Sequence, residues 1–177
     1  MEFGPRSLGN RSIIGDPREP NMQNKMNLKI KFRESFRPFA PIVLEEFTKE
    51  WFNFIGKSPY MLFTAFLNEN KKINSMNNYK GFDKLKFIPS KIPAVTHVDF
   101  SARIQTVSKE SNYNLYSILH NFYKITGCPI LINTSFNVRG EPIVCSPKDA
   151  LACFFQTDID YLFIGDFLLS RKNQNIE

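Results

Sequence analysis

The chain has 177 residues, of which 42% are hydrophobic and 18 are Phe, enough for one domain, or one domain and a small appendage, around a sizeable core. Its net charge of +6, from 23 basic and 17 acidic residues without a block of like charges, argues against a nucleic-acid arm and suits a small anionic ligand. Cys128, Cys145 and Cys153 form neither an even disulfide set nor a zinc spacing, so they are expected as core thiols in a reduced, cytoplasmic compartment; no apolar run is long enough to span a membrane.

From Met1 to Pro20, three Gly and three Pro favour ordered loops over regular elements, and this dense start, with no leader, reads as a domain cut from a longer polypeptide. Asn21 to Ile30 reads as a short helix with Met22 and Met26 inward. Lys31 to Pro41, KFRESFRPFAP, sets three cations among Phe32, Phe36 and Phe39, with Glu34 as their one carboxylate. If the run is extended, alternation sends Lys31, Arg33 and Arg37 to one side and Phe32, Glu34 and Phe36 to the other. Such a row is either a half-exposed strand with cationic stems snorkelling over phenylalanines, or a site whose ligand is a phosphate or carboxylate.

Pro41 to Leu44 reads as a strand, Glu45 to Phe54 as a helix through Phe47, Trp51 and Phe54, and Tyr60 to Leu67 as a strand. Asn68 to Lys86, rich in Asn and Lys without periodicity, reads as a loop. Ile92 to Phe100 and Ile104 to Val107 read as strands flanking Ser101 to Arg103. Alternation there groups His97, Asp99, Ser101, Arg103 and Gln105 as either the wet face of a sheet or a site. Asn114 to Thr126 is a helix with the stripe Leu115, Ile118, Leu119, Phe122 and Ile125, stopped by Gly127. Pro129 to Asn133 is a short apolar strand leading into Thr134-Ser135-Phe136-Asn137, a turn suited either to capping or to a phosphate at a strand end. Ser146 caps a helix to about Gln156, and Tyr161–Ile164 with Phe167–Ser170 forms a hairpin. The order predicts an α/β fold, a twisted mixed sheet with helices packed on it.

Four segments therefore carry polar groups that structure alone does not require: Gly4 to Ser12 with Arg6 and Arg11, the cation run, His97 to Gln105, and Asn133 to Asn137. No zinc cluster, serine-hydrolase order or Walker glycine run is present. Of the two histidines, His97 is the better candidate for polar work, while His120 lies beside a helix stripe.

EFGPRSLGNRSI, KFRESFRPFAP, HVDFSARIQTV and ILINTSFNVRGEPIV, in this order, resemble the C-terminal domain of the NodU/CmcH family of O-carbamoyltransferases from Glu2 to about Leu169. The resemblance implies a YrdC-like domain over residues 1–170 with a short tail at 171–177, and a separate N-terminal sugar-kinase-like domain absent from this chain. It implies that ATP, with Mg2+, and carbamoyl phosphate give a carbamoyl-adenylate and pyrophosphate, the missing domain then passing the carbamoyl group to a small-molecule hydroxyl. The family's ligand-binding positions fall on Arg6, Lys31, Arg37, Arg103, Asn133 and Ser135, with Lys31, Arg37 and Arg103 in the catalytic role. Ser7 stands where the family commonly has alanine. The alternative reading is a noncatalytic nucleotide- or RNA-binding YrdC-like module.

Overall fold

A computed structural model describes residues 8–73 and 90–174. Five strands form one mixed sheet: β1 (Ser12–Gly15), β2 (Ala40–Leu44), β3 (Phe63–Phe66), β4 (Ser101–Val107) and β5 (Ile130–Ser135), in the spatial order β1-β5-β2-β4-β3. Only β2 and β4 are parallel; the other neighbours are antiparallel. β6 (Tyr161–Ile164) and β7 (Phe167–Ser170) make a separate antiparallel hairpin. The helices are α1 (Met22–Lys29), the single-turn α2 (Thr48–Trp51), α3 (Tyr113–Thr126) and α4 (Pro147–Gln156). The protein is thus an α/β fold, a mixed sheet with helices packed on it.

Alternation along the strands divides the core in two. Ile42, Leu44, Val107 and Leu131 point to one face and meet Leu115 and Leu119 of α3. Val43, Ile104, Ile130 and Ile132 point to the other, against Met26 of α1 and Ala150, Cys153 and Phe154 of α4. α3 begins at Asn112, whose side chain accepts from the Leu115 N–H, and ends at Gly127, where φ of 70° lets the chain turn out of the helix. α4 opens on a capping box in which Ser146 and Asp149 satisfy each other's backbone donors.

Several expectations are corrected. The cation run is not a strand: residues 31 to 39 bend and turn, with Phe32 at φ 48°, so the proposed alternation of Lys31, Arg33 and Arg37 does not apply. Ile92 to Phe100 is a 3-10 turn at Pro93–Val95 followed by a tight turn, because Pro93 and the positive φ of Phe100 (65°) break the ladder; β4 starts only at Ser101. The strand within Met1 to Pro20, β1, was not expected; it is recruited by pairing with β5. Glu45 to Phe54 is a 3-10 turn, Glu45–Phe47, and the one-turn α2, after which Phe52 is extended. The α3 stripe narrows: Ile118 and Ile125 are exposed, and Tyr123 packs on Phe47 with ring centroids 4.5 Å apart. Cys128 and Cys153 are core thiols, but Cys145 is exposed. Of the Asn68 to Lys86 loop, Glu69–Lys71 form a 3-10 turn and residues 74–86 lie outside the described residues. Among the described residues no helix is long and apolar enough to cross a membrane.

Candidate active-site cleft

The polar cleft sits where α3 stops covering its face of the sheet. The inward side chains on that face run from the apolar Ile42, Leu131 and Val107 to Gln105 and Asn133, and then to Arg103 and Ser135. Gln105 and Asn133 make the polar rung between core and cleft: Asn133 Nδ2 donates to Gln105 Oε1 at 2.5 Å, and Gln105 Nε2 donates to the Pro59 carbonyl at 2.7 Å. Both residues are almost fully buried, so this pairing meets an amide hydrogen-bonding demand that water cannot reach.

Beyond that rung opens a cavity of about 390 Å3 whose lining includes Lys31, Arg33, Arg37, Arg103 and Arg139. Glu34 is the one carboxylate among the described residues that line it, and it pairs with Arg139 at 3.8 Å. Asn133, Thr134, Ser135 and Asn137 supply the neutral polar groups. Among the described residues, five cations to one carboxylate is an arrangement that favours a multiply charged anion. The cations disfavour one another: burial, and then Arg33, lowers Lys31 to about 8, while burial, and then Arg37, lowers Arg33 to about 10.

Lys31 is 5% exposed, and its ammonium is already engaged. It donates to the carbonyl of Ser135 at 2.8 Å and to the carbonyl and Oδ1 of Asn137 at 2.7 and 2.8 Å. Ser135 Oγ donates to Asn137 Oδ1 at 2.7 Å, and Asn137 Nδ2 to the Glu141 carbonyl at 2.8 Å. Lys31 therefore ties the end of α1 to the turn after β5 and places a positive charge under it. Arg33 lies over the Phe39 ring, 4.6 Å from its centroid, and its Nε donates to Asn27 Oδ1 at 2.6 Å. Arg37 is exposed at the cleft wall.

Three of the four polar segments converge here. Lys31, Arg37, Arg103, Asn133 and Ser135 all line the one cavity, whereas Arg6 lies outside the described residues. Arg11 goes elsewhere, donating to the Val144 carbonyl at 3.1 Å and lining a separate, largely apolar groove. His97 does not line the cleft: Asp99, held down to about 2 by hydrogen bonds from Ser101, meets its Nδ1 at 3.1 Å in an exposed turn. Arg33, Asn137 and Arg139 line the same cavity and are not among the positions that the family resemblance implied. Arg33 and Asn137 were legible as the partners at two-residue spacing of Lys31 and Ser135, and Arg139 as the cation beside Gly140 at the end of the same turn.

The family model described as "Carbamoyltransferase C-terminus" matches residues 1–171. An uncharacterized protein of Synechocystis is 53% identical over 98% of this chain and 29% of its own length. Nodulation protein NolO of Bradyrhizobium diazoefficiens is 41% identical over 99% of this chain and 30% of its own. Nodulation protein U of Rhizobium tropici is 37% identical over 97% and 26%. The chain spans less than a third of the length of these relatives.

Proposed function

The chain belongs to the carbamoyltransferase C-terminal family, and from that premise we propose that it is the carbamoyl-adenylate-forming part of a carbamoyltransferase, using ATP and carbamoyl phosphate. The observation that carries the reading is the gathering of Lys31, Arg33, Arg37, Arg103 and Arg139 around one cavity, with a single carboxylate among the described residues that line it. Two polyanionic reactants brought into one cleft repel each other, and converging guanidinium groups offset that repulsion while fixing the reacting atoms.

The chemistry balances in two steps. Water cleaves carbamoyl phosphate to carbamate and inorganic phosphate; a carbamate oxygen then attacks the α-phosphorus of ATP, giving the mixed anhydride and expelling pyrophosphate. Carbamate is already ionised, so the second step requires no general base. Mg2+ enters as the counter-ion of ATP, held chiefly by substrate phosphates. Arg37 and Arg103 grip phosphate oxygens as planar forks. Lys31 acts from beneath, holding Ser135 and Asn137 in place and lending its charge. Ser135 presents its hydroxyl to the carbamoyl unit or the α-phosphate, while Asn133 supports it from the buried rung with Gln105. Transfer to a hydroxylated acceptor belongs to the part of the longer relatives outside the stretch that this chain matches.

The test is pyrophosphate release by the folded chain with ATP and Mg2+. Release that depends on carbamoyl phosphate is expected. Nucleotide binding without release would assign the chain to a noncatalytic nucleotide-binding module and overturn the proposal.

A further inference from the structure

Asparagine is a poor residue for a helix interior, yet Asn27 sits in the eight-residue α1 with none of its surface exposed. An amide withdrawn from water is costly unless its donors and acceptor are met. All three are. Nδ2 donates to the carbonyls of Ser35 at 3.1 Å and Arg37 at 2.8 Å, and Oδ1 accepts from Arg33 Nε at 2.6 Å. Its backbone carbonyl accepts from the Arg33 N–H at 2.9 Å. Because the two carbonyls can only accept, the amide has one possible orientation, with its oxygen toward Arg33. The segment from Arg33 to Arg37 is thus wrapped around one buried side chain.

This has a consequence for the cleft. With Nε held by Asn27 and the Phe39 ring beneath the guanidinium, Arg33 retains only its two terminal nitrogens for a ligand, and their direction is set in advance. Arg37 is fixed at its root through its carbonyl. An anion then need not order the Arg33 side chain on arrival, which is one of the costs of binding with flexible cations. We propose that Asn27 is a positioning residue for anion binding, presetting the Arg33 guanidinium toward the cleft from within α1 and fixing the backbone from which Arg37 projects. The inference rests on the reading of the cleft as a phosphate site.

The probe is inorganic pyrophosphate, titrated calorimetrically at pH 7 into the folded wild type, Asn27→Asp, Arg33→Lys and the double variant. Asn27→Asp keeps the shape and an acceptor for Arg33 but sets an oxygen against two carbonyls. Arg33→Lys keeps the charge and loses the Nε–H and the fork. Each single change is expected to weaken binding roughly tenfold, as for the loss of a charge-assisted hydrogen bond. The double variant should fall no more than about threefold below the weaker single, because the two act through one contact. A purely structural role for Asn27 predicts independent, multiplying losses, and that result overturns the proposal. So does wild-type affinity in Arg33→Lys, a measurement that stands even if Asn27→Asp fails to fold. Wild-type protein that binds no pyrophosphate would overturn the phosphate-site reading itself, whereas wild-type binding that both single variants leave within twofold would overturn only the role of Asn27.

Discussion

Lys31 offers a test in which stability and binding must move in opposite directions with pH. Its ammonium is buried and beside Arg33, which lowers it from an ordinary 10.5 to about 8. Between those values the folded protein has released the proton while the unfolded chain still holds it. The unfolded state then binds more protons, so stability rises with pH across that window. The shift corresponds to roughly 3 kcal/mol between the two protonation states. Lys31→Met removes the titrating group and leaves the remaining ionisable groups as a common background. The difference in unfolding free energy, wild type minus variant, should therefore climb by roughly 2 to 3 kcal/mol from pH 7 to pH 10.5, measured by urea denaturation. Anion binding should run the other way. Sulfate keeps one charge state throughout, and its affinity for the wild type should drop roughly tenfold as pH passes about 8, the worth of one charge in a partly solvated cleft. A stability difference that stays flat would mean that Lys31 is not held in the environment described. A rise in stability with unchanged sulfate affinity would remove it from the electrostatics of the site.

Arg37→Ala, at an exposed position, should abolish carbamoyl-dependent pyrophosphate release while moving the melting temperature by no more than about 2 °C; a larger fall would make Arg37 structural. Gln105→Leu leaves the buried Asn133 amide and the Pro59 carbonyl without the partner that joins them, and should cost about 2 to 4 kcal/mol in urea denaturation. Stability within about 0.5 kcal/mol of wild type would show that the rung is dispensable. Thiol titration of the native protein should modify Cys145 quickly and Cys128 and Cys153 only after denaturation, since both are buried and burial pushes the Cys128 thiol up to about 11. Rapid reaction of more than one thiol would contradict the packing of α4 and of the connection between α3 and β5.

Much of the architecture follows local rules. The caps of α3 and α4, the hydrophobic run of β5 and the turn between β6 and β7 are written in neighbouring residues, and each element forms where its signal lies. The failures share a cause. Ile92 to Phe100 has strand-like composition, but strand formation requires a neighbour's ladder, and its backbone turns on Pro93 and Phe100 instead. The same dependence hid β1, whose four residues are a strand only because β5 lies beside them. In the cation run, alternation pointed to the right side chains for the wrong reason. Lys31, Arg33 and Arg37 share a cleft through bends organised by Asn27, a residue that a search for apolar periodicity passes over.

The sequence by itself determined the α/β class and picked out most of the residues that line the cationic cleft, because helix and strand signals, charge excess and short polar turns at strand ends are local properties. Only the tertiary structure decided how those residues are used. Whether a lysine grips a ligand or ties down a loop depends on which carbonyl oxygens lie within hydrogen-bonding distance of its ammonium. For Lys31 those oxygens belong to Ser135 and Asn137, more than one hundred residues further along the chain.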